Sequence, residues 1–393
     1  MRRADVLVVG AGVTGLATAH VLAEAGIAVE VLDAYGPAAM ASGWTLGGVR
    51  QSGRDPAELP LAREAVRLWA DLDARLDAPT GYRRSGNLRL ARNEDEARTI
   101  RALVRDQQAA GLEITLLEGN AAVRAIAPAL SEEVVCAALC PGDGHADPAL
   151  VAAAFVSALE RLGGRVRSGV RVTGITDSGG RFRAVETEAG PIEAHACLLA
   201  AGIGAPQLLA QLGLEVPLRT PLVAVAQTEP LADAPLFERP MPVLGVANAD
   251  LAARRQIDGR LRVTSGLEPW AGPLAHDDAG LPAAYPSAGV LAAMLQRVAR
   301  VLPILESAPL ARIWGGVIDL TPDALPILDR APGVEGLLVA TGFSGHGFGI
   351  APAVGRILRD LLLGQTPGHD LAPFRFDRFG EAPAQAAALA LHG

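Results

Sequence analysis

Residues 5–33 read DVLVVGAGVTGLATAHVLAEAGIAVEVLD, and this stretch decides the fold. Val6, Leu7, Val8 and Val9 form a short unbroken apolar run, as expected of a parallel strand covered on both faces. Gly10-Ala11-Gly12-Val13-Thr14-Gly15 follows. Apolar residues at helical spacing then run through Leu16, Ala19, Val21 and Leu22 and stop at Gly26, a natural glycine just past a helix end. A second strand is predicted over 29–32, closed by Asp33. A glycine motif that leaves a strand, opens a helix and is answered by an acid at the next strand end reads as a dinucleotide site. Gly10 makes the tight turn, Gly12 lets the backbone approach a pyrophosphate, and Gly15 lets helix and strand pack closely. The helix N-terminus, with the N–H groups of Val13 and Thr14, favours phosphate charge. Asp33, with Ala34 beside it, is placed for the adenine ribose, and an acid there disfavours a 2′-phosphate. This motif alone leaves FAD and NAD both open.

The whole chain has 393 residues, half of them hydrophobic, and a formal net charge of −8. That length suggests two domains, with ample apolar surface for a core. All 35 cationic residues are arginine, and there is no lysine. Schiff-base chemistry and any P-loop or kinase lysine are therefore excluded; GC-rich codon usage accounts for most of the bias. No basic stripe with interleaved aromatics speaks for nucleic acid. Cys136, Cys140 and Cys197 are too few for a disulfide framework and fit a reducing cytoplasm. No metal-ligand spacing is present. No apolar run reads as a membrane span, and the opening Met1-Arg2-Arg3 plus apolar run is better explained as the first strand than as a signal peptide.

Asp147-Pro148 reads as a helix N-cap with proline at the first position, opening a helix that Gly163-Gly164 stops. Short alternating strands follow at 166, 170–172, 182–187 and 192–194. A buried strand over 196–201 then ends in Gly202-Ile203-Gly204. Residues 216–316 are proline-rich with strand-like runs at 222–227 and 260–264, suggesting a separate, mostly antiparallel unit. The end returns to strand, glycine loop and helix, and the tail after Phe379 is alanine-rich and expected to be loosely ordered. The predicted fold is α/β. A discontinuous Rossmann-like domain spans 1–85, 146–215 and 317–393, and an inserted α+β substrate domain spans 86–145 and 216–316.

The far end favours flavin. Residues 338–356 read LVATGFSGHGFGIAPAVGR, preceded by LTPDALP at 320–326. A second glycine-rich loop feeding a second helix N-terminus suits the pyrimidine end of a flavin, where oriented N–H groups favour negative charge. NAD enzymes have no comparable use for it. With ASGWTLGGVRQ at 41–51, GHADP at 144–148, GVRVTGI at 169–175, LLAAG at 198–202, RRQIDGRL at 254–261, WGGVIDLTPDALPIL at 314–328 and PFRFDRF at 373–379, the chain resembles the D-amino-acid-oxidase/sarcosine-oxidase superfamily. The resemblance is to its glycine-oxidase and sarcosine-oxidase-β-like members and runs nearly the whole length.

The resemblance implies FAD and a small-molecule amine substrate. Met40, Ala41, Ser42, Gly47, Gly48 and Val49 would wrap the flavin, and Val172 would meet the adenine through its backbone. Gly202 would lie near the cofactor, and Phe343, Ser344, Gly345, His346, Gly347 and Phe348 would lie over the flavin ring. Gly316 stands where covalent sarcosine oxidases attach flavin through cysteine, so non-covalent FAD is implied. Gly349 stands where they carry a substrate-binding lysine, and Ile318 where glycine and D-amino-acid oxidases carry an arginine. Arg50 is then the leading catalytic candidate for the substrate carboxylate, ahead of Arg255 and Arg312, with His346 as a second catalytic candidate. Trp44 would cover the flavin or pack. The implied chemistry is C–N bond oxidation of a small, N-alkyl or cyclic amino acid, by hydride transfer to flavin N5 followed by imine hydrolysis. Electrons would pass to O₂ or to a partner acceptor, in a homo- or hetero-oligomer. The alternative is an FAD-bearing electron-relay subunit of a heteromeric amine or opine dehydrogenase.

Overall fold

A computed structural model describes residues 4–231 and 240–380; Met1-Arg2-Arg3 and the alanine-rich tail beyond Gly380 lie outside the described residues. The chain is a mixed α/β protein built on two large sheets. The first has six strands in the order Ile327–Arg330, Leu337–Thr341, Ala196–Leu199, Val6–Val9, Val29–Asp33, Arg165–Ser168. All neighbours run parallel except the edge strand Ile327–Arg330. The inner strands are apolar on both faces because both faces are covered. Helices Val13–Glu24, Leu59–Ala70, Pro148–Arg161 and Gly347–Leu362 contribute to one core, and helix Ala205–Ala210 with strands Val172–Asp177 and Phe182–Thr187 to the other. Asp147 caps its helix as expected, its carboxylate accepting from Ala149 N at 3.0 Å and Leu150 N at 3.1 Å, with Pro148 next.

The second sheet has eight strands: Leu310–Val317, Leu222–Thr228, Leu261–Ser265, Leu251–Arg255, Val243–Val246, Asn87–Ala91, Cys136–Cys140 and Thr115–Glu118. Its strands lie within 87–140 and 222–317. Two features depart from a simple antiparallel unit. Val243–Val246 pairs parallel with Asn87–Ala91. An amphipathic helix, Ala288–Val301, also buries Met294, Val298 and Val301 against Leu244, Leu251, Ala253 and Val263. The sheet's opposite face carries Asn87, Arg89 and Arg254 on alternate residues. Gly48–Val49 pairs with Gly144–His145 as a small antiparallel stitch. All three cysteines are buried and free. Among the described residues no helix is long and apolar enough to cross a membrane.

Candidate active site

Gly10 sits at φ +112°, and a Cβ there would lie 2.3 Å from the carbonyl oxygen of Ala200. The turn therefore brings Val6–Val9 and Ala196–Leu199 together at their C-terminal ends, where open α/β sheets bind ligands. Gly12 caps the following helix without a side-chain hydrogen bond. Val13 N donates to Ser42 Oγ at 3.0 Å, so the loop at 40–44 lies directly over the helix N-terminus. Asp33 Oδ2 accepts from Ala11 N, and Oδ1 from Tyr35 N and Gly36 N, each at 2.8 Å. Its carboxylate is thus held rigid at the strand end, and Oδ2 retains acceptor capacity for a ribose hydroxyl. Val170 N donates to Asp33 O at 2.9 Å. Val172 opens the next strand opposite Thr187, and Gly202 O accepts from Thr341 Oγ1 at 3.2 Å. These residues fit the adenine half of FAD: a glycine cradle, a helix N-terminus whose cap residue carries no side chain, and a positioned acid.

The far glycine loop closes on the same place. Helix Gly347–Leu362 packs along Val13–Glu24, and a Cβ on Gly355 would lie 3.0 Å from the Ala17 backbone. Ser344, buried at φ +54°, donates through Oγ to Gly342 O at 3.0 Å and accepts from Thr321 N at 3.2 Å. Asp319 Oδ2 accepts from Gly342 N at 2.7 Å, and Asp319 O from Ser344 N at 3.0 Å. Burial pushes the Asp319 carboxyl up to about 6. His346 N donates to Phe343 O at 2.8 Å, closing the turn that presents Phe343, Gly345, Gly347 and Phe348. Phe348 stacks on Trp69 at 5.6 Å, and Trp69 Nε1 donates to Gly349 O at 2.8 Å.

At Gly349, where the motif resemblance implies a lysine in covalent sarcosine oxidases, the packing leaves no room for a side chain. A Cβ there would lie 2.8 Å from Gly48 O and 3.4 Å from Val49 Cα. The helix start lies directly against the strand Gly48–Val49, so no side chain fits between them. Gly349→Lys is therefore expected to lose flavin rather than gain a carboxylate anchor. Flavin absorbance per protein should fall several-fold, and a variant with full flavin content would contradict this packing.

Around Arg50 the structure assembles a buried ionic cluster. Arg50 is 4% exposed, and its guanidinium donates from Nη1 to Ser52 O at 2.7 Å. Arg54 Nε donates to Arg50 O at 3.2 Å, and its Nη1 meets Glu58 Oε2 at 3.5 Å. His346 Nδ1 lies 3.3 Å from the same Glu58 oxygen. Asp143 accepts from Gln51 N at 2.9 Å, from Ser52 N at 3.2 Å and from the Ser52 hydroxyl. Arg89 is buried, with no hydrogen-bond partner at Nε or Nη2. Burial, then Arg54 and Arg89, hold Arg50 well below the usual guanidinium range. Burial also lowers His346, reinforced by Arg54, which favours the neutral imidazole. Burial alone would raise the Glu58 carboxyl, but Arg54 and His346 outweigh it and hold it at about 2. Three guanidiniums (Arg50, Arg54, Arg89) thus face two carboxylates (Glu58, Asp143). A buried excess of positive charge is expensive unless an anion joins it.

Glu58 makes acid stability a test. Its pKa is depressed in the fold, so its stabilisation is present above the unfolded value of 4.5 and lost as pH falls toward about 2. Glu58→Gln should lower the urea midpoint at pH 7, because Arg54 loses its partner. Its midpoint should also fall less steeply than wild type between pH 5 and 3.

Glu58, Arg89 and Asp143 escaped the sequence reading, as did Arg254, which the strand Leu251–Arg255 turns toward the site. The available signals were a charge between two leucines at Arg89 and the Gly-Asp-Gly at 142–144. Arg255 follows the parity of Leu251 and Ala253, on the face packed by helix Ala288–Val301. Arg312 lies over Trp314, 5.5 Å from its ring. Trp44 packs: its carbonyl accepts from Trp314 Nε1 at 3.2 Å, and its Cβ would lie 3.3 Å from a Cβ on Gly316.

A dinucleotide cradle joined to a second helix start over a buried cationic cluster defines a flavin-dependent oxidoreductase. The chain belongs to the family of FAD dependent oxidoreductases designated DAO, which it matches over residues 5–361. It is 29% identical to peroxisomal sarcosine oxidase of Homo sapiens over 384 residues, covering 95% of this chain and 96% of that protein. It is 25% identical to mitochondrial dimethylglycine dehydrogenase of Mus musculus over 96% of its own length, but spans only 44% of that relative. The structure of glycine oxidase from Geobacillus kaustophilus superposes with a TM-score of 0.87 at 25% identity, covering 96% of this chain and 99% of that one. The chain is accordingly an FAD-dependent enzyme of the amino acid oxidase type, as the motif resemblance implied.

Proposed function

We propose that this protein oxidises the C–N bond of a small, N-alkyl or cyclic amino acid, with FAD held non-covalently between the 10–15 turn, the 40–49 loop and the 343–348 loop. The observation that carries this reading is the buried guanidinium excess at Arg50, one imidazole away from the loop assigned to the flavin. Bound FAD supplies the hydride acceptor. Arg50 binds the substrate carboxylate, and Glu58 with Arg54 fixes the His346 ring and its tautomer. The neutral imidazole leaves the amine side of the site without a competing cation, favouring the unprotonated amine. Trp44, Trp314 and Phe348 keep water out. Gly316, packed by Trp44, offers no thiol for a covalent link.

Acid precipitation should release FAD into the supernatant, and a colourless protein would overturn the assignment. An anaerobic screen of sarcosine, glycine, proline and D- and L-amino acids should bleach the flavin with at least one of them. Comparing O₂ with an artificial dye then identifies the acceptor class, with a partner protein as the third possibility. The chain's resemblance to the sarcosine oxidase β subunit of Arthrobacter, at 27% identity, supports a second reading as one subunit of a heteromer. Flavin that no amine bleaches would favour that reading. Free, buried cysteines suit a cytoplasmic setting.

A further inference from the structure

The strand registers of the eight-stranded sheet place Arg254 beside Arg262, Arg262 beside Gln227, and Gln227 beside Arg312. Directly paired residues share a face, so three guanidiniums and one amide form a single row across four strands. The row faces the loops that carry the proposed flavin site. Arg254 Nη1 donates to Ala146 O at 2.6 Å, and Arg262 Nη1 to Thr45 O at 2.7 Å. Burial deepens along it, from Arg312, exposed on the edge strand, to Arg254, which is 2% exposed.

The row has more donors than acceptors. Nε and Nη2 of Arg254 and Nε of Arg262 are buried with no hydrogen-bond partner. Arg262 Nη2 reaches Gln227 Oε1 at 3.3 Å, and Arg262 and Arg312 both lie over the Trp314 ring, at 5.1 Å and 5.5 Å. No carboxylate hydrogen-bonds any of the three among the described residues; Asp147 and Asp258 act on Arg254 and Arg262 only through space. Burial and the neighbouring Arg262 push Arg254 down to about 9. A buried guanidinium beside a half-buried one, with no carboxylate in hydrogen-bond contact, is costly, and a well-placed anion removes that cost with charge-assisted, bidentate bonds.

One step along the strands, the same face runs Arg89, Gly245, Ala252, Thr264, Val225 and Trp314. Between Arg89, next to Arg50, and Arg254 the same face of the sheet carries only Gly245, Ala252, Val243 and Asn87. By strand spacing, the Arg89 and Arg254 backbones are roughly 12 Å apart, and their long side chains shorten the gap between the charged heads. We infer that the Arg254–Arg262–Arg312 row is a subsite for a second acidic group on the substrate, so that the enzyme prefers amino acids carrying two acids over those carrying one. This rests on the reading that Arg50 takes the first carboxylate.

The test uses the purified flavoprotein at pH 8 and non-reactive anions, with the shift of the flavin absorption band as readout. Butyrate carries one acid, glutarate two, and 3-phosphonopropionate a carboxylate and a phosphonate. At least one dianion should bind about tenfold more tightly than butyrate, and which one is tighter assigns the second group as carboxylate or phosphate-like. The ratio of the two dissociation constants should collapse toward one in Arg262→Gln and Arg254→Gln. Arg312→Gln, at the exposed end, covers the case that Arg254→Gln fails to fold. Arg50→Met should weaken all three anions alike and leave their ratios to butyrate standing. Equal binding of butyrate and both dianions, in a protein whose flavin amines do bleach, would overturn the subsite alone. A protein that binds none of these anions and is bleached by no amine would overturn the proposed function beneath it.

Discussion

Gly10→Ala is expected to yield a protein that retains less than about a tenth of its flavin and is less stable by about 3 kcal/mol or more. Two costs combine. The residue sits at φ +112°, which L side chains rarely adopt, and its Cβ would lie 2.3 Å from Ala200 O and 2.8 Å from Ala200 C. The second contact is with backbone at the end of a central strand, so it cannot be relieved by a rotamer change. Either Ala196–Leu199 shifts, disturbing its pairing with Val6–Val9 and Leu337–Thr341, or the turn opens and the N–H groups at 12–14 lose their aim. Flavin-to-protein absorbance and the urea midpoint should fall together. A flavin-replete Gly10→Ala protein would show that the cradle lies elsewhere.

Arg50→Met is expected to reduce kcat/KM for the amino acid substrate by about 10²–10³-fold, the usual loss when one partner of a buried charged pair is removed. Flavin content should stay near wild type, because Arg50 is bonded to Ser52 O and not to the dinucleotide cradle. Arg50→Lys should recover only part of the loss, since a lysine offers a point charge where a planar fork is called for. The change also rebalances the cluster: two guanidiniums would then face Glu58 and Asp143, raising the apparent pKa of Glu58, which Arg50 helps to depress. The variant's activity should consequently fall off at a higher pH on the acid side than the wild type's. If kcat/KM is unchanged with the best bleaching amine, Arg50 is a structural ion and the carboxylate lies elsewhere; Arg89, buried with free donors, is the next group to replace.

Much of the nucleotide half was legible in the chain because it is local. The strand at Val6–Val9, the turn, the helix and Asp33 lie within one short segment, where periodicity, glycine spacing and strand length report backbone shape directly. Asp147-Pro148 was legible for the same reason: an N-cap is a contact over two or three residues. The helix Ala288–Val301 was missed because its strand-rich surroundings weighed more than its own pattern, although the apolar face of Met294, Val298 and Val301 marks it. Arg254 was passed over for its neighbour because only pairing with Leu261–Ser265 reveals which of two adjacent arginines looks at Ala146.

By itself, the sequence determined that this is an α/β dinucleotide protein of the amino-acid-oxidase kind. It also determined that no lysine does any of its chemistry. Glycines needed for conformation and acids needed at strand ends are requirements of the local backbone, and they show in any single reading of the chain. Only the tertiary structure decided which charged side chains meet. It packed Gly349 against Gly48, leaving no space for a side chain there. It set Arg50, Arg54, Glu58, Arg89, Asp143 and His346 in one buried cluster drawn from four separate segments of the chain. It aligned Arg254, Arg262 and Arg312 across four strands. Electrostatic balance is a property of neighbours in space, and sheet register decides those neighbours over sequence separations that local patterns do not encode.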